Sequence, residues 1–230
     1  MNIDGKSIRN RLVDVPHGWQ VLVSLVITSI LYSMLAEAMI PLLPYQGLSA
    51  VQARYGSLIL SGILLTVSTV ALLIGRSRIS SIAIFAFTSV VTLYLLSGVS
   101  LLVLSLPNLH GSQSGLILLR DASIVWVINI IIFAVWYWLL DGGGPLKRRT
   151  VAPNRKDFLF PQEAMRIRGW EGWQPTFFSY LFASFHFCST FGPTDAYVLS
   201  RRGKLLVMVQ VAISLITLTM ILSRAFTIIS

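Results

Sequence analysis

Five long runs of apolar residues, each almost free of charge, constrain this sequence more than any other feature. They cover about residues 21–43, 57–75, 81–106, 122–140 and 205–229. An α-helix of about 20 apolar residues crosses a hydrocarbon layer roughly 30 Å thick, and it satisfies its backbone hydrogen bonds within itself. The runs therefore predict an all-α fold, a polytopic transmembrane helical bundle with about five full spans.

The composition agrees with a membrane protein and disfavours a nucleic-acid partner. Hydrophobic residues make up 55% of the chain and charged residues 12%, against roughly 45–50% and about 25% in soluble domains. The formal net charge of +9 has a simple source, because Lys and Arg accumulate in the cytoplasmic loops of membrane proteins. We expect a multi-pass protein whose partner is the lipid bilayer, with no bound nucleic acid and a cytoplasmic N-terminus.

Charged residues and turn signals divide the chain into four segments. They are a cytoplasmic tail at 1–20, a four-helix transmembrane region at 21–145, a basic interfacial insert at 146–175 and a module of a short helix, a turn and the last span at 176–230. The four-helix region closes on a Trp-Tyr-Trp triplet at 136–138, which is typical of the aromatic belt at a membrane interface. The Asp-Gly-Gly-Gly-Pro run at 141–145 then predicts a sharp helix end.

The insert carries a dense group of positive charges. It is too short to form a hydrophobic core of its own, so we expect it to lie along the membrane surface with Trp170 and Trp173 at headgroup level. Its cations then contact anionic lipid headgroups. The residues that we assign to these contacts are Lys147, Arg148, Arg149, Arg155 and Lys156.

The apolar run at 177–191 is about 15 residues long, which is shorter than the roughly 17 residues that a spanning helix needs. It is therefore either a marginal span or a re-entrant helix. Re-entrant backbone is tolerated at membrane depth only where it is buried in protein or lines an aqueous cavity. A short helix followed by a polar turn and a full span is thus a candidate pore-loop module.

The distribution of cations favours the re-entrant alternative. With the N-terminus inside and 177–191 returning to its own side, almost every Lys and Arg falls in the cytoplasm, as is usual for membrane proteins. Only Arg54, Arg120 and Arg224 lie elsewhere. If the segment crosses instead, the three cations at 201–204 are placed outside.

The segment Thr190-Phe191-Gly192-Pro193-Thr194-Asp195 follows the short helix and leads through a basic turn into the last span. Together these elements resemble the pore loop and inner helix of the two-transmembrane potassium-channel family, whose filter reads Thr-Val-Gly-Tyr-Gly-Asp. Thr190, Gly192 and Asp195 match that pattern, and Phe191 stands in place of the Val. The resemblance covers roughly the last 55 residues and implies a homo-oligomer, a tetramer, around a conduit.

Two positions depart from the family pattern in a way that changes the expected chemistry. Pro193 and Thr194 replace the Tyr and the second Gly. Proline fixes φ near about −65°, and a β-branched Thr adopts the glycine conformation only with strain. We therefore expect a degenerate filter that does not select potassium through backbone carbonyls.

A second resemblance covers most of the C-terminal half. It is carried by the aromatic triplet at 136–138 with Asp141-x-Gly143-Gly144-Pro145, by the Phe-Leu-Phe-Pro-Gln run at 158–162 and by Phe191-x-Pro193-Thr194-Asp195. These motifs are similar to those of an uncharacterised family of bacterial inner-membrane proteins. That resemblance implies localisation in the inner (plasma) membrane and no particular activity.

Single polar residues inside the apolar runs are further candidates. Glu37 lies in the first span, and an intramembrane acid is a functional candidate, although Glu37 is close enough to the end of its helix to reach the interface. Asn129 lies in the fourth span, where an amide either serves transport or bonds a neighbouring helix. His186 and Cys188 fall on different helical faces, so we expect them to pack rather than to bind a metal.

No enzyme motif is present. The sequence has no His-Glu-x-x-His, no Gly-x-Ser-x-Gly and no complete phosphate-binding loop, so we predict no catalytic residue, no metal and no cofactor. Two hypotheses for the function remain open. In the first, the chain is an oligomeric, ion-conducting protein with a degenerate pore module. In the second, it is a non-conducting membrane scaffold or partner-binding protein that keeps the pore-module fold.

Overall fold

Helices form most of the structure, a computed structural model that describes residues 18–39, 48–73, 77–105, 112–144, 155–165, 172–189 and 196–229. The long helices are α1 (Gly18–Met39), α2 (Leu48–Leu73), α3 (Ser77–Ser105), α4 (Ser112–Leu140) and α7 (Arg201–Ile229). A 3₁₀ turn (Asp141–Gly143) follows α4, and β1 (Phe158–Leu159), α5 (Pro161–Ala164), α6 (Phe177–Ser189) and β2 (Tyr197–Val198) lie before α7.

Among the described residues, three helices are long and apolar enough to cross a membrane. The qualifying stretches are Ile79–Leu104 in α3, Leu118–Gly143 in α4 and Arg201–Ser223 in α7. Two shorter apolar stretches, Trp19–Leu35 and Leu58–Ala71, lie in α1 and α2. The helical, membrane-compatible class is therefore confirmed, whereas the count of five full spans stays a prediction for α1 and α2.

Helix α4 occupies the centre of the bundle and packs against α1, α3, α6 and α7. Because the Tyr137 and Trp138 side chains are both buried, they do not form the aromatic belt that the sequence predicts. The third aromatic of the triplet, Trp136, is half-buried and donates from Nε1 to Thr92 Oγ1 at 2.9 Å. These side chains pack against protein because α4 is enclosed by other helices to its very end.

The glycine run ends α4 as the sequence predicts. Gly142, Gly143 and Gly144 all have positive φ, at 60°, 82° and 97°, a region that residues with a Cβ rarely adopt. At Gly144 a Cβ would lie 2.9 Å from the carbonyl oxygen of Leu139. The chain therefore leaves the helix abruptly, with the Asp141 side chain buried at the turn.

The described part of the insert is built into the bundle instead of lying only along a surface. Strand β1 pairs antiparallel with β2, with Phe158 opposite Val198 and Leu159 opposite Tyr197. Phe158 and Phe160 are both buried, and Trp173 stacks edge-on against Phe160 with ring centroids 5.8 Å apart. The expectation of a purely interfacial insert is wrong for these residues, because the two Phe rings fill the end of the helix bundle.

Helix α6 begins at the same end of the bundle as α7. That end, which we call the hairpin end, is defined by Leu140, Asp157 and Arg202, since Arg202 Nη2 donates to the Leu140 carbonyl oxygen at 3.2 Å and pairs with Asp157. The opposite tip of α6 lies deep in the bundle, where the Cys188 carbonyl oxygen accepts from Ser214. The chain is back at the hairpin end at Tyr197, which pairs with Leu159.

Candidate functional site

Two groups of polar side chains join α4, α6 and α7. The first, at the hairpin end, we call the junction, and it consists of Asp141, Asp157, Tyr180 and Arg202. The second lies deeper and we call it the polar cluster; it consists of Asn129, Tyr137, Ser184, Cys188, Gln210 and Ser214. All its members are buried, which makes the interior of this three-helix unit unusually polar for a membrane-compatible bundle.

Asp141 is the centre of the junction. Its Oδ1 accepts from the backbone N–H groups of Asp157 at 2.8 Å and Phe158 at 3.1 Å. Its Oδ2 accepts from the Tyr180 hydroxyl at 2.6 Å. One buried carboxylate therefore fixes the end of α4, the start of β1 and the first turn of α6 relative to one another.

Asp157 and Arg202 form the second part of the junction. Arg202 donates from Nε to Oδ1 at 2.7 Å and from Nη2 to Oδ2 at 2.5 Å, a bidentate pair. Burial alone raises the pKa of the Asp157 carboxyl, but hydrogen bonds from Arg202 and Ser200 and the Arg202 charge outweigh it, so that pKa lies below its usual value of 3.8. The pair ties β1 to the first turn of α7.

Gln210 is the hub of the polar cluster. Its Nε2 lies 2.6 Å from Ser184 Oγ and 3.0 Å from Cys188 Sγ. Its Oε1 accepts from the Tyr137 hydroxyl. A single amide of α7 therefore reaches both α4 and α6.

The hydroxyls of the polar cluster satisfy backbone carbonyls. Ser184 of α6 donates to the Ile130 carbonyl oxygen of α4 at 2.6 Å. Ser214 of α7 donates to the Cys188 carbonyl oxygen at 2.6 Å, one of the terminal α6 carbonyls that have no partner within the helix. Trp126 in turn donates to Ser214 Oγ at 3.2 Å. At the deep tip of α6, Ser214 of α7 thus caps one of the helix-end carbonyls.

Asn129 makes the contact with a neighbouring helix that the sequence favours. Its Nδ2 donates to the Gln210 carbonyl oxygen at 3.2 Å and approaches Cys188 Sγ at 3.4 Å. Its Oδ1 is buried and has no hydrogen-bond partner among the described residues. Asn129 therefore has a structural role in joining α4 to α7.

Most of the predicted site residues lie outside the described residues. This holds for the pore-loop candidates Thr190, Phe191, Gly192, Pro193, Thr194 and Asp195, for Lys147, Arg148 and Arg149, and for the side chain of Glu37. Arg155 and Lys156 are described and exposed. Lys156 pairs with Glu163 at 2.5 Å.

His186 and Cys188 do not converge on a shared ligand. The His186 ring is half-buried and packs on Phe182 with ring centroids 4.3 Å apart, whereas Cys188 faces the polar cluster. Within the described ranges, no group of three or more His, Cys, Asp or Glu side chains is arranged to hold a metal ion. Arg120 Nε lies 2.9 Å from Asp121 Oδ1, and the Asp121 side chain is buried within α4.

Sequence reasoning missed the residues that organise the site. Gln210, like Asn129, is an amide inside an apolar run, and this feature was sufficient to identify it as a candidate. Asp141 was assigned only to a helix end, and nothing local indicates that its carboxylate bonds Tyr180, far along the chain. The pairing of Asp157 with Arg202 likewise has no local signature.

Helices α4, α6 and α7 thus form a three-helix unit. The short helix α6 is held at the hairpin end by the bond from Tyr180 to the Asp141 carboxylate and at its deep end by neutral hydrogen bonds. No protein-family model matches this chain, and no curated protein or solved structure matches it either.

Proposed function

We propose that this chain is a multi-pass membrane protein in which α4, α6 and α7 form a re-entrant pore-loop module. In this proposal α6 enters the membrane from the hairpin end and the chain returns to that end before α7 crosses. Copies of the module assemble around a shared axis and conduct an ion. The hairpin end is cytoplasmic, because the exposed cations of 155–156 and 201–204 all belong to it.

The observation that carries the proposal is the path of the chain around α6. Tyr180, in the first turn of α6, bonds Asp141 at the hairpin end, and Tyr197 pairs with Leu159 at that same end. Between them, Cys188 lies beside Ser214 of α7. A segment whose two ends share one side of the bundle and whose middle lies inside it has the form of a re-entrant loop.

Lengths support the same interpretation. Helix α6 has 13 residues and spans about 18 Å at roughly 1.5 Å per residue. Ser214 lies about 20 Å along α7 from Arg201 by the same rise, near the middle of that 29-residue helix. The tip of α6 is therefore near mid-depth of a layer that α7 crosses, and Tyr197 lies back at the hairpin end.

The polar cluster explains how such a helix is tolerated in lipid. A helix ending at membrane depth exposes carbonyls that cost several kcal/mol each if left unpaired. Here Ser214 satisfies the carbonyl oxygen of Cys188, near the deep end of α6. The resemblance of residues 190–195 to a channel filter then supports a conduit, and one such loop cannot enclose a pathway without other copies.

A second candidate function is a non-conducting scaffold with the same fold. It is favoured by the way the α6 polar groups are used, because Ser184 and Cys188 bond α4 and α7 and so face the protein interior. Pro193 and Thr194 also disfavour a carbonyl filter. In this alternative the module serves as a rigid element for partner binding.

The topology is tested by cysteine labelling, which the chain favours because Cys188 is its single cysteine. In a Cys188→Ser background, Gln174→Cys precedes α6 and Leu199→Cys follows β2, and both positions are exposed. The proposal expects a membrane-impermeant maleimide to label both from the same side of sealed vesicles. Gln113→Cys, at the other end of α4, is the control for the opposite side. Labelling of 174 and 199 from opposite sides contradicts the re-entrant path.

Conduction is tested in liposomes after the oligomeric state has been measured by native mass spectrometry. The proposal expects an oligomer, and an ion flux that Asp195→Asn reduces at least severalfold, because a charge near a conduit attracts counter-ions. Asp4→Asn removes one carboxylate from the N-terminal segment and is the matched control. A stable monomer, or an oligomer without flux in either protein, favours the scaffold.

A further inference from the structure

The first turn of α7 carries cations that the structure does not use internally. Arg201 and Lys204 are exposed, and neither side chain bonds another described residue. Arg202, between them, is committed to Asp157 and to the Leu140 carbonyl oxygen. Two cations one helical turn apart are therefore left facing outward on one side of α7.

Acidic side chains near this turn do not neutralise the two cations. Asp157 is paired with Arg202, and Glu163 is paired with Lys156. Asp141 is buried and accepts from the backbone of β1 and from Tyr180. Among the described residues of the hairpin end, Arg201 and Lys204 therefore present uncompensated positive charge.

An apolar stripe continues directly from these cations along α7. Leu205 and Met208 follow at helical spacing and are 62% and 65% exposed, and Val209 beside them is also exposed. The cations stand at the start of the stretch Arg201–Ser223, which is long and apolar enough to span a membrane. Along this face of α7, two cations are followed by apolar side chains. An anionic phospholipid beside the helix would place its headgroup at the cations and its acyl chains at the apolar side chains.

We propose that Arg201 and Lys204 bind the headgroup phosphate of one anionic phospholipid, whose acyl chains lie on Leu205 and Met208. The occupant is a phospholipid because charge complementarity and the apolar stripe occur together on one face. Ser200 caps the start of α7, with its Oγ accepting from the Gly203 N–H at 3.0 Å, and the helix dipole adds favourable potential for an anion at this end. Tyr197 and Leu199, both exposed just before α7, extend the same surface to headgroup level.

This inference rests on the membrane placement in the proposed function but not on the re-entrant path. Helix α7 begins at a membrane face whether α6 returns or crosses. If cysteine labelling shows that α6 crosses, the pore-loop proposal fails and the lipid titration still gives its own result. The two proposals are therefore tested separately.

The experiment titrates the purified full chain in a non-ionic detergent with dioleoyl-phosphatidylglycerol, and native mass spectrometry counts bound lipid. The proposal expects one phosphatidylglycerol per chain to bind more tightly than dioleoyl-phosphatidylcholine. Arg201→Gln and Lys204→Gln each weaken phosphatidylglycerol binding about fivefold, and the double variant about thirtyfold, because one cation near an anionic lipid contributes about 1 kcal/mol. Circular dichroism checks that the variants stay folded.

Two control variants distinguish a defined lipid-binding site from a general attraction of anionic lipid to positive surface charge. Arg155→Gln with Lys156→Gln removes the same charge from the same end of the bundle, and we expect it to change the affinity less than threefold. Arg201→Lys with Lys204→Arg keeps both charges and keeps binding. Glycerol phosphate, which has the headgroup chemistry without acyl chains, does not compete.

Three results overturn the proposal. Equal weakening by the 155/156 and 201/204 double variants indicates a general surface potential. Equal binding of phosphatidylcholine shows that the cations are not recognised. Full competition by glycerol phosphate shows that Leu205 and Met208 contribute nothing and that the surface binds free anions.

Discussion

The junction and the polar cluster hold the same three helices together with different chemistry. The junction uses carboxylates and a guanidinium, with Asp141 and Asp157 buried at the end of the bundle. The polar cluster, about two to three helical turns deeper along α7, uses amides, hydroxyls and a thiol. The first group forms charged contacts and the second contains no charged side chain.

The difference follows from the cost of charge at depth. A charged side chain at the centre of a bilayer costs at least about 2.5–3.5 kcal/mol, whereas at the end of a span it is close to water and headgroups. Neutral hydrogen bonds between membrane helices contribute only about 0.6 kcal/mol on average. The comparison therefore predicts that the contacts at the hairpin end contribute strongly to the free energy of unfolding and in a pH-dependent way. The contacts at the tip of α6 should contribute weakly and independently of pH.

The largest expected effect is at Asp141. Asp141→Ala leaves two backbone N–H groups and the Tyr180 hydroxyl without their acceptor in a buried site, and we expect the free energy of unfolding to fall by about 4 kcal/mol. Reversible unfolding in mixed detergent, followed by tryptophan fluorescence, measures it. Tyr180→Phe removes only one of the three bonds and should cost about 1 kcal/mol; equal losses in the two variants contradict the central role of Asp141.

A smaller effect is expected at Asp157, and it depends on pH. The pKa of this carboxyl is lowered in the folded protein, so its stabilisation is present above the unfolded value and is lost as pH falls through the folded value. Asp157→Asn should therefore cost about 2 kcal/mol near pH 7. The unfolding free energies of the two proteins should converge once the pH lies below the lowered folded pKa. A difference that persists undiminished at that pH argues against the ion pair as its source.

The smallest effect is expected in the polar cluster. Gln210→Leu removes the bonds to Ser184 and Tyr137 but fills a similar volume, so we expect a loss of about 1 kcal/mol that does not change between pH 4 and pH 8. A double-mutant cycle with Ser184→Ala isolates their coupling, expected at about 0.6 kcal/mol. A Gln210→Leu loss as large as that of Asp141→Ala would remove the distinction between the two groups.

Much of the helical architecture could be read from the chain. The apolar runs predicted helices that the structure contains, and the run of glycines predicted the end of α4, because both depend on local properties of the backbone. The run at 177–191 was predicted to be shorter than a usual span, either marginal or re-entrant, and α6 has only 13 residues. These features could be predicted because the length of an apolar run and the residues of a turn are visible in the local sequence.

Other features could not be read from the chain. Tyr137 and Trp138 look like interface anchors in sequence, but they are buried because α1, α3, α6 and α7 surround α4. Phe158 and Phe160 lie in a polar insert and nevertheless fill the end of the bundle. In both cases burial depends on which elements become neighbours, and no periodicity in the segment itself contains that information.

The sequence by itself determined the helical, membrane-compatible class of this protein, because apolar runs of spanning length leave the backbone few alternatives in lipid. It also determined that the segment before α7 is short. Only the tertiary structure decided that the start of α6 and Tyr197 of β2 lie at one end of the bundle. It also decided that Asp141 holds the start of α6 and that Gln210 holds its deeper part. Those contacts join residues tens of positions apart, and their energies exist only once the helices have packed.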